Sequence, residues 1–239
     1  MRASRGQIWR RRVMLVLTVG VLLAAAYLFW FRNSSLFDVN QIEVNGVTAN
    51  APEVTAALQQ ASQKMTTLHV REEVLSSAVS GFPTVAALTV HAHPPHKLEI
   101  DVTERVPVAT VKDGDATVPV SGDGFELRGV KVPSGLPPVE LTGKPVNGRL
   151  AADDITVTTL LAAAPAQLKS GIDSATYDSE TGGAVAELSN GIELRLGDAS
   201  DAAAKWAAAA TVLAAPDLGS PAYIDVSLPE RPVSGGYSG

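Results

Sequence analysis

Hydrophobic positions fall into three patterns along this chain, and the first is an unbroken run. Val13 to Phe31 is 19 residues without a charge, and as a helix it spans about 28 Å, close to the hydrocarbon thickness of a bilayer. Arg2, Arg5, Arg10, Arg11 and Arg12 precede the run, and Arg32 follows it. An arginine excess on one flank holds that flank in the cytoplasm. The pattern predicts a cytoplasmic tail over 1–12, a transmembrane helix over 13–31, and the remainder on the far side. That is a single-pass protein of the inner or plasma membrane, N-terminus inside. Tyr27 and Trp30 suit the outer interfacial belt. A cleaved secretory signal is the alternative, since Ala24-Ala25-Ala26 offers a small-residue cleavage site. Cutting there would leave Tyr27 to Phe31 as an apolar stub.

The second pattern mixes helical and strand periods. Beyond a polar tether over 33–36, Phe37 to Val44 reads as a strand that turns at Asn45-Gly46. Asn50 is placed to cap a helix with Pro52 in its first turn and Val54, Ala57, Leu58 and Ala61 on one face. A second helix is predicted from about Val70 to Ser80, with Val70, Val74, Leu75 and Val79 buried. Val85 to His93 is then extended, Pro94-Pro95 turns it, and Lys97 to Glu104 returns with Leu98, Ile100 and Val102 on one face. Strand, helix, helix, strand, strand is the order, and the small sheet can bury one face only if both helices cover it.

From Val106 the third pattern is short strands broken by turn residues. Val106 to Lys112, Thr117 to Val120, Phe125 to Leu127 and Val139 to Leu141 read as strands. A helix capped by Asp153 is predicted over about 154–168, broken near Pro165. Ile172 to Asp178 is a strand, and Ala184–Leu188 with Ile192–Leu196 forms a hairpin around Ser189-Asn190-Gly191. Ala199 to Ala214 is an alanine-rich helix anchored by Trp206, Val212 and Leu213. Ala222 to Leu228 is the last strand, and residues 229–239 have the composition of a disordered tail.

Charge sharpens the division at the apolar run. Six of the 19 Lys and Arg residues bracket it, which leaves 13 against 25 Asp and Glu, a net −12 beyond Arg32. Such a surface repels nucleic-acid phosphates and disfavours lying flat on anionic lipid. There is no cysteine, so stability must come from packed cores. Chemistry is sparse. His91, His93 and His96 could ligate zinc across the hairpin, but solvent-facing polar positions explain them as well, and no fourth ligand is fixed. The carboxylates sit at turns and helix starts. Serines lie outside any Gly-x-Ser-x-Gly or Ser-x-x-Lys setting, and Thr181-Gly182-Gly183 lacks the lysine of a phosphate loop. The expectation is no enzyme, no cofactor, no metal and no small-molecule substrate.

The strand, helix, helix, strand, strand order resembles a POTRA domain. The run Phe82-Pro83-x-Val85 … Pro95-x-x-Leu98-x-Ile100-x-Val102-x-Glu104-Arg105-x-Pro107-Val108-Ala109, set after one N-terminal span, resembles the bacterial cell-division family FtsQ/DivIB. Leu194-Arg195-Leu196-Gly197, Lys205-Trp206 and Tyr223-Ile224-Asp225-Val226 follow the order of that family's β-domain landmarks. The chain departs from many relatives at Pro94, where an aromatic is common, and at His91 and His93, where a basic residue is common. The resemblance implies an α+β chain: one transmembrane helix, a βααββ POTRA domain over 37–105, and a mixed α/β β-domain over 106–228 ending in an exposed edge strand. It implies a non-catalytic divisome scaffold at the septum that binds membrane-anchored FtsB/FtsL-type proteins and regulates septal peptidoglycan synthesis. The alternative is an envelope assembly or secretion scaffold outside division.

A strand at a sheet edge offers unpaired N–H and C=O groups as a template for another strand. With the resemblance, this makes Tyr223, Ile224, Asp225, Val226, Ser227 and Leu228 the candidate partner-binding residues. Alternation places Ile224 and Val226 toward the core and Tyr223, Asp225 and Ser227 outward. Glu104-Arg105 is expected to be a structural hinge pair, its two side chains facing opposite ways; the resemblance, which links the POTRA portion to recruitment, offers a partner contact at Arg105 as the alternative.

Overall fold

The computed structural model describes residues 5–27, 35–216 and 219–236. Its first helix, α1 (Arg5–Ala26), carries Arg5, Arg10, Arg11 and Arg12, so its long uncharged stretch is 13–26. Residues 28–31 of the apolar run lie outside the described residues, and among those described no helix is long and apolar enough to cross a membrane. The rest is a mixed α+β fold that divides between Glu104 and Arg105 into two compact units.

In the N-terminal unit, β1 (Gln41–Asn45), α2 (Ala51–Ser62), α3 (Glu72–Val79), β2 (Val85–His93) and β3 (Lys97–Glu104) follow in sequence. The sheet order is β1-β3-β2, with β1 parallel and β2 antiparallel to β3. Central β3 alternates with period two: Leu98, Ile100 and Val102 are buried, clustered with Val54 and Leu58 of α2 and Leu75 and Val79 of α3. Each buried Leu, Ile or Val of this kind contributes about 1.5–3 kcal/mol. Gly46 has φ +79, and a Cβ there would stand 2.3 Å from the Val102 carbonyl oxygen. Glycine is needed at that turn both for its backbone angle and for its missing side chain.

Asn50 does not cap α2 as the sequence suggests. It adopts φ 54 and its side chain makes no capping hydrogen bond. The amides just before it, Thr48 N–H and Ala49 N–H, donate instead to the Glu104 carboxylate at 2.9 and 2.8 Å. A distant carboxylate thus pins the loop that leads into the helix.

The C-terminal unit holds β4 (Pro107–Asp113), β5 (Ala116–Ser121), β6 (Pro138–Glu140), α4 (Ala152–Ala162), α5 (Ala166–Lys169), β7 (Ile172–Asp178), β8 (Gly183–Leu188), β9 (Glu193–Gly197), α6 (Ala202–Leu213), β10 (Tyr223–Asp225) and β11 (Val233–Gly235). They form one eight-stranded sheet in the order β11-β10-β9-β8-β7-β6-β4-β5. Leu160 and Leu161 of α4 and Trp206 of α6 are buried with Leu194, Leu196 and Ile224 from the strands. The Trp206 indole N–H donates to the Leu160 carbonyl at 2.8 Å, joining the two helices.

Three expectations are corrected in this unit. Ala151, not Asp153, is the N-cap of α4, and the neighbouring Asp154 is buried, accepting from Thr142 N–H at 2.9 Å and Thr142 Oγ1 at 3.0 Å. Phe125 to Leu127 makes isolated bridges to Arg149 and Val120 rather than a strand element, its backbone bonds being divided among Ser121, Gly148 and Pro119. Residues 233–235 of the expected tail form β11, because the Pro229–Pro232 segment folds the chain back beside β10.

A candidate partner-binding edge

The candidate site is the end of the large sheet, and its strands are short. Tyr223–Asp225 runs parallel to Glu193–Arg195 of β9 and antiparallel to β11, with Tyr223 opposite Gly235 and Asp225 opposite Val233. The edge expected at Tyr223–Leu228 is therefore already occupied by the chain's own β11. The outermost strand of the sheet is β11.

The six residues picked out by sequence divide by face. Ile224 and Val226 are fully buried, against Leu194 and Leu196 of β9. Tyr223, Asp225 and Ser227 are half-buried and Leu228 is 63% exposed. Asp225 ends the strand: its Oδ1 accepts from Ser227 N–H at 2.9 Å and from Ser227 Oγ at 2.6 Å. A carboxylate engaged in such a turn is a structural element first. Val226 N–H still reaches the Arg195 carbonyl at 2.9 Å, so pairing with β9 persists one residue past β10.

Across the outward face, Arg195 lies over the Tyr223 ring at 4.1 Å and donates through Nε to Glu193 Oε1 at 2.7 Å. That Glu193 hydrogen bond raises the Arg195 pKa. The ring in turn lies against Gly235, where a Cβ would meet the Tyr223 hydroxyl at 2.6 Å. Glycine lets β11 approach; any side chain there would push it away. Val233, 55% exposed, and Leu228 leave apolar surface beside this edge. Sequence reasoning missed Val233, Ser234 and Gly235, and a valine after Pro232 was the only local sign of a strand.

Beside the same strands, Lys205 is buried and its ammonium donates to the carbonyl and to Oδ1 of Asp198, both at 2.7 Å. Lys205 and then Ser200 hold the Asp198 carboxyl down to about 2. Other carboxylates are engaged locally as well. Asp178 accepts from Thr181 and Glu180, while Asp123 accepts from Ser121 and Arg105. Arg105 also lies over the Phe125 ring at 4.0 Å. Glu104 and Arg105 are thus satisfied separately, each inside its own unit.

The three histidines have three different partners. His93 Nε2 is 3.1 Å from Glu99, His91 Nε2 is 3.7 Å from Asp101, and His96 Nδ1 is 3.1 Å from the Asp38 carbonyl. Among the described residues no group of three His, Asp or Glu is gathered so that it could hold a metal ion.

Comparison with known proteins follows the same division. The family description "Cell division protein FtsQ/DivIB, C-terminal" matches residues 109–227, and "POTRA domain, FtsQ-type" matches residues 37–105. The cell division protein FtsQ of Streptomyces collinus is 25% identical over 241 residues, covering 95% of this chain and 89% of the relative. FtsQ of Novosphingobium aromaticivorans is 31% identical over 166 residues, covering 69% of this chain and 49% of that protein. FtsQ of Neisseria meningitidis serogroup B is 28% identical over 121 residues, or 48% of each chain. Among solved structures, the major extracytoplasmic domain of DivIB (trans isomer) from Geobacillus stearothermophilus matches 42% of this chain and 84% of its own, with 22% identity and a TM-score of 0.32. The two family matches and the full-length relative agree, and the chain belongs to the FtsQ/DivIB-type family of cell division proteins.

Proposed function

We propose that this cell division protein is a non-catalytic, membrane-tethered platform that binds FtsB/FtsL-type division proteins and thereby helps place and regulate septal peptidoglycan synthesis. The observation that carries the binding mode is the place of β11 as the outermost strand of the eight-stranded sheet among the described residues. A partner strand adding there gains main-chain hydrogen bonds, with Leu228, Val233 and the Arg195–Tyr223 stack available for side-chain contacts. Tyr223, Ile224, Asp225, Val226, Ser227 and Leu228 then serve as the support of the edge, two of them from within the core. Non-catalytic work fits the polar groups: Asp225, Asp154, Asp198 and Asp123 accept from Ser227, Thr142, Lys205 and Arg105 respectively.

The tether in this reading is 13–31, N-terminus inside and C-terminal units outside. Met14, Leu15, Val16 and Leu17 of α1 are 64–72% exposed on all sides, which suits lipid better than water. Shared anchorage raises effective concentration, so individually weak contacts suffice. The test is co-purification of full-length protein with its FtsB/FtsL-type neighbours. Gly235→Val, which drives β11 off Tyr223, should cut capture at least tenfold while the chain stays folded. Undiminished capture refutes addition at this edge, and no capture by the unaltered chain refutes the partner assignment.

A further inference from the structure

The two sheets formed by the described residues have four edges; one, β11, is taken in the function proposed above, and two others carry irregularities that disfavour strand addition. β2 carries a bulge between Val85 and Ala87. β5 contains Pro119, whose carbonyl is already taken by Leu127 N–H. β11 is three residues long and is occupied in the function proposed above. The fourth, β1, has none of these devices. It runs five residues in unbroken register with Lys97 to Asp101, has no proline, and among the described residues pairs with β3 alone.

Beside β1 lies a groove of about 790 Å³, lined by Asn40, Gln41, Ile42 and Glu43 of the strand region, by Lys97 of β3, by Gln59 of α2 and by Gln63 just past its end. Ile42 and Val44 pack on the core from one side only and remain half-buried. Between them Glu43 faces the other way, its Oε2 held by Lys97 Nζ at 2.7 Å.

We propose that the β1 edge is a second docking site, taking an extended segment of a protein partner with the pattern apolar–basic–apolar. A strand added at ~4.8 Å puts one residue opposite Glu43 with Cβ atoms about 5 Å apart. A lysine or arginine at that place reaches the second oxygen of the Glu43 carboxylate. The residues on either side point to the opposite face, where apolar side chains complete the cover over Ile42 and Val44. A second copy of this chain fits worse. Its own β1 offers Ile42-Glu43-Val44, and pairing about the midpoint sets glutamate against glutamate, which is destabilising. The inference stands independently of the role given to β11.

The test uses full-length protein and a fluorescent peptide, acetyl-Ser-Thr-Val-Lys-Val-Thr-Ser-amide, followed by polarisation and by backbone hydrogen exchange. The peptide should bind and slow exchange at 41–45 at least fivefold, with no change at 233–235. Glu43→Lys should weaken it tenfold or more, and so should glutamate in place of the peptide's lysine. That substitution breaks only an exposed ion pair and leaves the fold intact. No binding, unchanged binding by Glu43→Lys, or protection at 233–235 instead of 41–45 would overturn the proposal. So would self-association of the unliganded chain through 41–45, which would identify a second copy as the occupant.

Discussion

Replacing Trp206 with phenylalanine tests how the C-terminal core is joined. The indole is fully buried, and its N–H donates to Leu160 O across two helices. Phenylalanine keeps an aromatic ring but deletes that donor. The Leu160 carbonyl retains the Ala163 N–H at 3.1 Å, so the penalty for losing one bond sits near the low end, about 1 kcal/mol. The smaller ring leaves a void of roughly 40 Å³, which at about 24 cal/mol per Å³ adds about 1 kcal/mol. The expected loss is about 2 kcal/mol, and for a unit of this size the melting point should fall by about 6–10 °C. Because the two units have separate cores, the loss should be confined to residues beyond Arg105. Hydrogen exchange in increasing urea, resolved peptide by peptide, measures both units at once. A loss under about 0.5 kcal/mol would refute the account of the Trp206 contact, since even a typical single hydrogen bond exceeds it. An equal loss in β3 peptides would refute the independence of the cores.

Further outcomes concern the N-terminal unit. Gly46→Ala must combine φ +79 with a Cβ 2.3 Å from a carbonyl oxygen; it should cost at least about 1–2 kcal/mol in urea unfolding of that unit, and no measurable cost would show the turn to be adaptable. Burial opposes ionisation of Glu104, but the hydrogen bonds from Thr48 Oγ1, Thr48 N–H and Ala49 N–H together outweigh it and hold its pKa below the ordinary value. A depressed carboxyl stabilises the fold above the unfolded-state pKa of about 4.3 and loses that contribution as pH falls through the folded value. Acid titration of exchange rates at 48–50 should show protection falling below about pH 4.3, and Glu104→Gln should remove that acid-dependent step; an unchanged step in the glutamine variant would assign it elsewhere.

Local periodicity made much of this fold legible. Leu98, Ile100 and Val102 announce a half-buried strand, and the same three residues form the centre of the small core. Ser189-Asn190-Gly191 placed the β8–β9 hairpin for the same reason: its signal is contained in neighbouring residues. What could not be read depends on distant partners. Asn50 looks like a helix cap, but its left-handed backbone (φ 54) leaves its side chain without a capping hydrogen bond, and Glu104, far along the chain, holds the amides of Thr48 and Ala49. Asp154 looks like a solvated helix start, yet it accepts from Thr142. β11 is the sharpest case, since Val233-Ser234-Gly235 has little strand propensity of its own. Its conformation comes from backbone pairing with β10 and from the clearance above Tyr223. Composition classed the segment as tail, and with it the sheet's edge was misplaced by one strand.

The buried indole of Trp206 also has an optical consequence. The chain's other tryptophans are Trp9 and Trp30, and residues 35–104 contain neither tryptophan nor tyrosine. Intrinsic emission excited at the red edge therefore comes from residues before 35 and from Trp206, and never from 35–104. In a version lacking the first 31 residues, Trp206 would be the single tryptophan, and any change in its emission on adding a ligand would report the C-terminal unit alone.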